Sequence, residues 1–243
     1  MRETRDIMGM PVTVEAGSAA KKDLDAVFSY FVSVDRRFST YKEDSEISRL
    51  NRGSTQSQSP EMREIFRLAE KTNRESGGYF DIRRPDGFID PSGVVKGWAI
   101  LNAAQMLRER GIKDFFIDAG GDIQSQGVNA AGEEWTVGIR SPFNLDEIVK
   151  VIRPRGAGVA TSGNYLRGNH IYDPLEKKPL EEIVSLTVIG PDILEADRFA
   201  TAAFAMGTKG VSFVESTPLL EGYAIDRSGV ATMTSGFETY IAL

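Results

Sequence analysis

The sequence predicts a layered α+β fold, on three observations. Helical periodicity dominates the first half of the chain, short strand-like runs dominate the second half, and one further helix stands among those strands. Segregation of this kind argues against the regular alternation that builds a parallel βαβ sheet.

Taken in order, MGMPVTVEA alternates enough for a first strand. From Asp23 to Phe38, the residues Leu24, Val27, Phe28, Phe31 and Val34 follow the three-four spacing of an amphipathic helix with Asp23 near its start. A second helix opens at Ser59 and Pro60, turns Met62, Ile65, Phe66 and Ala69 inward, and stops at Gly77 and Gly78. A third runs from about Val95 to Arg110, with Trp98, Leu101, Ala104 and Leu107 on one side and Gly111 as its stop. Then come the strand-like runs DFFIDAG, EWTVGIR, EIVKVIR, GAGVAT and EIVSLTVIG, separated by glycine, proline and asparagine turns. The helix ILEADRFATAAFAM precedes terminal strands around GYAIDRSGVATM and FETYIAL, with DRSG as a hairpin turn. No internal repeat, low-complexity segment or forced linker is visible, so residues 1–243 are expected to form a single domain.

With 41% apolar residues, a chain of 243 residues can bury a substantial core. No window reaches the roughly 18 consecutive apolar residues of a membrane span, and MRETRDIMGMPVTV lacks an apolar leader core. A formal charge of -6, mixed along the chain, offers no basic field for a nucleic acid backbone. Absence of cysteine excludes disulfides and thiolate chemistry. A single histidine excludes a histidine-rich metal cage and leaves oxygen-bound hard cations, magnesium or calcium, as the plausible metals.

Five stretches can carry chemistry. Asp197 and Thr201 stand four apart in the late helix, so a carboxylate and a hydroxyl project from one face and can share a hard cation. The alternative is a solvated aspartate beside a packed threonine, but the surrounding EADRFATAAFAMG is small and apolar. DAGGDI, Asp118 to Ile123, pairs two glycines that either admit a ligand or make a tight turn between strands. GVATSGNY, Gly158 to Tyr165, is either a phosphate or ribose cradle or an ordinary loop. In IDPSGVVKGWA, a helix N-terminus and Lys96 would attract an anion such as a diphosphate; alternatively Asp90 or Ser92 only caps the helix. His170, the sole imidazole, lies in a polar run with Asp173 three residues on, where a proton acceptor near neutral pH is useful.

In combination, Met8-Gly9, FSTYKEDSEISRLN, GGYFD, DPSGVVKGWA, DAGGD, ATSGNY, HIYDP, EADRFATAAFAMG and GFETYIAL resemble the ApbE family, the FAD:protein FMN transferases, over nearly the whole chain. The resemblance implies an ApbE-like layered fold with mainly antiparallel sheets and flanking helices. It also implies a flavinylating enzyme that takes FAD with Mg2+, moves FMN to a serine or threonine hydroxyl of an acceptor flavoprotein, and releases AMP. Carried onto this chain, the metal ligands are Asp197, Thr201 and the Gly93 carbonyl. FAD contacts fall on Met8, Tyr41, Tyr79, Phe80, Asp81, Asp90, Lys96, Ile171 and Ala200, and the cofactor site extends across DAGGD and ATSGNY through Gly120, Gly121, Thr161 and Ser162. His170 takes the catalytic place, as base for the incoming hydroxyl.

Several positions depart from the family pattern. Only Ile82 to Ile89 separate Asp81 of GGYFD from Asp90 of IDPSGVVKG, where the family carries a much longer segment, so part of the cover over the cofactor is missing or replaced. Met10 stands where threonine is common, and Pro91 follows the motif aspartate. The sequence as given carries neither leader nor lipobox, which implies a cytoplasmic enzyme, or an exported one whose leader lies outside it. Two other readings share the site: a metal-dependent FAD diphosphatase, with water replacing the acceptor hydroxyl, and a flavin-binding protein without catalysis.

Overall fold

The computed structural model describes residues 1–164, 172–175, 178–180 and 182–242. Its first element is a hairpin of β1 (Arg2–Ile7) and β2 (Met10–Ala16), closed by Met8 and Gly9 at φ values of 58° and 71°. Two left-handed residues in a two-residue loop match the twist of a hairpin. The sequence led us to expect one strand beginning at MGM. Instead Met8 and Gly9 form the turn, and β1 escaped notice because RETRDI is a largely exposed, charged edge strand.

Four helices follow: α1 (Lys21–Phe38), α2 (Glu46–Asn51), α3 (Pro60–Glu75) and α4 (Ser92–Glu109). Ser59 caps α3 by accepting the Met62 N–H, as Ser59-Pro60 led us to expect, while the six-residue α2 is too short to show periodicity. The chain continues through β3 (Phe115–Ala119), β4 (Asp122–Gln126), β5 (Val137–Arg140), β6 (Ile148–Ile152), β7 (Gly158–Gly163), β8 (Tyr172–Asp173), β9 (Lys178–Pro179) and β10 (Ile183–Gly190). It ends with α5 (Ile193–Ala205), α6 (Lys209–Ser216), β11 (Glu221–Asp226), β12 (Ala231–Met233) and a 3-10 turn over Phe237–Tyr240. That turn replaces the strand expected in FETYIAL, where Ile241 alone bridges to Ile152.

Eight strands form one sheet in the order β1-β2-β3-β4-β7-β10-β11-β12, every described pairing antiparallel, with β5–β6 and β8–β9 as separate two-stranded ladders. The fold is α+β. Period-two alternation divides the sheet's residues between two cores. Ala160, Leu186, Val188 and Ala224 join the helical core, whereas Ile123, Val159, Ile189 and Ile225 face Val137, Ile139, Ile152 and Phe237 on the opposite side. Helix α4 is buried on more than the one side expected: Val94, Val95, Ile100 and Ala103 are enclosed as well as Trp98, Ala104 and Leu107, because α1 and α5 both pack on it. Among the described residues no helix is long and apolar enough to cross a membrane.

Glycine makes the closest approaches possible. A Cβ at Gly158 in β7 would lie 2.1 Å from the Ile193 backbone nitrogen at the start of α5. Backbone cannot yield there as a flexible side chain could, so Gly158→Ala should destabilise the fold by about 1–3 kcal/mol or more. Urea unfolding should show a lower midpoint with an unchanged slope. An unchanged midpoint would mean that β7 and α5 are not so closely apposed.

Candidate functional site

The site grows from the junction of α4 and α5. Helix α5 is fixed at its start, where the Asp192 side chain accepts the Glu195 N–H at 2.9 Å and Gln124 Oε1, from β4, accepts the Ile193 N–H at 2.9 Å. Alanines at 196, 200, 202 and 203 are fully buried and let neighbours approach its axis. Among them Asp197 is only 3% exposed, and its Oδ2 accepts the Gly97 N–H of α4 at 2.7 Å. A Cβ at position 97 would lie 2.7 Å from the Asp197 Cβ and 2.8 Å from the Ile193 carbonyl, so only glycine permits this contact.

In an undisturbed helix the Gly97 N–H serves the Gly93 carbonyl four residues back. Gly97 and Gly93 therefore lie one turn apart on the same face of α4. Gly93 itself lies against Thr201: a Cβ there would be 3.1 Å from Thr201 Cγ2 and 3.5 Å from Oγ1. Asp197, Thr201 and Gly93, read from the sequence as metal ligands, are thus brought together at one junction. Carboxylate, hydroxyl and carbonyl make an all-oxygen donor set of the kind a hard divalent cation takes.

A second carboxylate, Asp122, stands beside Asp197 and is 1% exposed. It opens β4 just after the hairpin turn at Gly120 and Gly121, whose φ values of 63° and 95° bear out the tight-turn reading of DAGGD. Asp122 Oδ1 accepts the Thr161 N–H at 3.1 Å, and Oδ2 lies 2.7 Å from Lys96 Nζ. Two buried carboxylates around one ammonium leave excess negative charge, which a bound cation would offset. Without one, the desolvated Asp197 holds its proton: burial, with Asp122 adding repulsion, pushes its pKa up to about 8 against the pull of Lys96.

Other expected contacts are spread around this junction. Phe80 is buried, with Cε2 3.1 Å from a Cβ placed on Gly93; its main chain is held by Asn73 Nδ2, 2.8 Å from the carbonyl, and by Ser76 Oγ, 3.0 Å from the nitrogen. Asp90 Oδ1 accepts the Ser92 N–H at 3.1 Å just ahead of α4, whose N-cap is Pro91 and not the Asp90 or Ser92 weighed for it. Thr161 and Ser162 point to opposite faces of β7, and the Thr161 hydroxyl pairs with that of Thr187 at 2.8 Å. Met8 and Tyr79 are half-buried, Asp81 is exposed, Ala200 is enclosed, and Tyr41 is 97% exposed. His170 and Ile171 lie outside the described residues.

The shortened segment folds on itself, with the Arg84 N–H donating to the Phe88 carbonyl and the Asp90 N–H to the Ile82 carbonyl, both at 2.8 Å. Asn51 clamps its end, donating to the Ile89 carbonyl at 2.9 Å and accepting the Ile89 N–H at 2.8 Å. Between this loop and α3 lies a cavity of about 370 Å³ lined by Phe66, Asn73, Phe80, Asp81, Ile82 and Ile89 among others. Of the expected flavin contacts only Phe80 and Asp81 reach it. Sequence reasoning missed Asp122, Asn51 and Asn73 as site-shaping residues. It also missed Arg198, a buried guanidinium paired with Glu195 and Glu75 that ties α5 to α3. For Asp122 alone a signal existed: the second aspartate of DAGGD.

The profile of the ApbE family matches residues 8–84 and 82–224, two segments that meet at the shortened loop. A FAD:protein FMN transferase of Salmonella typhimurium is 32% identical over 168 residues, covering 65% of this chain and 47% of that protein. The chain spans about half the length of the first curated relatives it matches. A flavin transferase ApbE from Vibrio cholerae superposes with a TM-score of 0.87 at 22% identity, over 99% of this chain and 98% of that one. The ApbE protein of Thermotoga maritima gives 0.86 at 20% identity, over 100% and 99%. At these identities the structural likeness concerns the fold.

The raised pKa of Asp197 has a consequence for stability. A carboxyl whose folded-state pKa exceeds its unfolded value near ~3.9 stabilises the fold fully below that value, and the contribution declines until it is lost above the folded pKa. With Asp197 at about 8, the metal-free protein should lose stability relative to Asp197→Asn as pH rises from about 4 to about 8. Urea midpoints of both proteins across this range measure the difference; a constant difference would show that Asp197 is ionised throughout.

Proposed function

From the premise that the chain belongs to the ApbE family, we propose that residues 1–243 act as one Mg2+-dependent FAD:protein FMN transferase domain that joins FMN to a serine or threonine of an acceptor flavoprotein. The observation that supports this reading is that α4 meets α5 through Gly97 against Asp197 and Gly93 against Thr201, with Lys96 on the same helix. These residues would hold Mg2+, which when bound offsets charge on the phosphates.

The chain's own groups then do the remaining work. Lys96 and the start of α4 attract the diphosphate of FAD, while Met8, Tyr41, Tyr79, Phe80, Asp81, Asp90, Gly120, Gly121, Thr161, Ser162, Ile171 and Ala200 form the surroundings of the cofactor. The acceptor hydroxyl gives its proton to His170 and attacks the phosphorus of the FMN half; the bond to the AMP phosphate breaks, and AMP leaves. Phosphoryl transfer needs chiefly alignment and charge stabilisation.

Mass spectrometry of an acceptor protein after incubation with FAD and Mg2+ tests the proposal. The expected result is a mass gain of one FMN, abolished by Asp197→Ala. His170→Asn should slow transfer by about 100-fold to 10,000-fold with little change in FAD affinity, the usual worth of a general base. Free FMN and AMP with unmodified acceptor would replace transfer by hydrolysis, and unchanged FAD would leave binding alone.

A further inference from the structure

Lys96 is fixed by a residue that no part of the proposed reaction uses. Asp122 is 1% exposed, whereas the Lys96 side chain keeps 19% of its surface open. Burying a carboxylate costs free energy unless each oxygen finds a partner. Oδ1 takes the Thr161 N–H at 3.1 Å, whereas Oδ2 accepts no hydrogen bond from the described residues and is offset by charge alone, with the Lys96 ammonium 2.7 Å away. Asp122 directly follows the Gly120-Gly121 turn, whose φ values of 63° and 95° set the start of β4. Three elements, β4, β7 and α4, therefore meet at one carboxylate. A flexible lysine stem would otherwise leave the ammonium free to sample many directions.

We propose that Asp122 is a positioning residue for Lys96: it holds the ammonium at the mouth of α4, in line with an anionic diphosphate, and moderates its charge so that the diphosphate is aligned and not merely attracted. The inference rests on the reading of Lys96 as a diphosphate contact. It sets two effects of Asp122 in opposite directions. Neutralising Asp122 leaves Lys96 with more unbalanced positive charge, which strengthens anion binding. Releasing the tether also spoils alignment, which slows transfer. A purely structural role would weaken both.

ADP, measured by calorimetry in EDTA, probes the diphosphate contact without metal or turnover. Asp122→Asn should bind ADP about threefold to thirtyfold more tightly, the range carried by one partly screened charge, while kcat for FMN transfer falls by about tenfold or more. In a Lys96→Met background, where ADP binding is weak, Asp122→Asn should have no further effect. Asp122→Ser, smaller and equally neutral, carries the same expectation and serves if asparagine disturbs folding. ADP binding that weakens or stays unchanged in the Asp122 variants, or the same shift with and without Lys96, would overturn the inference. Because ADP binding is read without turnover, these outcomes stand apart from failure of the transferase reading, which the unmodified protein reports by leaving the acceptor unflavinylated.

Discussion

The site depends on one contact, the Gly97 N–H donated across the helix pair to Asp197 Oδ2. It requires a residue without a side chain on α4, because any Cβ at position 97 would meet both Asp197 and the Ile193 carbonyl. It also requires α5 to be small along the facing surface, which accounts for its run of buried alanines. In return, a buried carboxylate obtains a backbone donor, and Gly93, one turn earlier on α4, is brought against Thr201. Packing and ligand chemistry thus come from the same two backbones.

Charge balance around that contact explains the residues that surround it. Lys96 faces two buried carboxylates, Asp122 and Asp197, and Asp197 responds by holding a proton well above the usual range. An environment of this kind is costly for a structural core, which could replace all three with apolar side chains at little loss. A site that receives a cation and an anionic diphosphate uses both signs of charge. The rest of the scaffold keeps them in place: Gln124 holds the start of α5, Arg198 ties α5 to α3, and Asn51 and Asn73 clamp the chain on either side of the shortened loop.

The junction proposed to hold a metal was legible as a place where α5 meets a neighbour, because helical spacing puts Asp197 and Thr201 on one face and a carboxylate among alanines needs a partner. The helices α1, α3 and α5 were legible for a similar reason, through apolar periodicity and the Ser59-Pro60 start. By contrast β1 was hidden, since an exposed edge strand carries charges and shows no apolar alternation. Helix α4 looked one-sided, although α1, α3, α5 and the strands β3 and β4 all pack on it, because residue spacing records one buried stripe better than several. Asp122 was overlooked for a different reason: DAGGD explains itself as a turn, and nothing local says that its second aspartate points at a lysine 26 positions earlier. Long-range pairings such as Gly97 with Asp197, 100 residues apart, are set by the sheet that brings α4 and α5 together.

The central claim, that the Asp197, Thr201 and Gly93 junction receives a hard cation, is tested most directly by metal-linked stability. The measurement is the urea midpoint of the unmodified protein and of Thr201→Val with increasing Mg2+; valine keeps the shape of threonine and removes only the hydroxyl. Binding to the folded state alone raises stability with ligand concentration. The account predicts a rising midpoint for the unmodified protein and a smaller or absent rise for Thr201→Val. Equal responses in the two proteins, or no response in either, would contradict it.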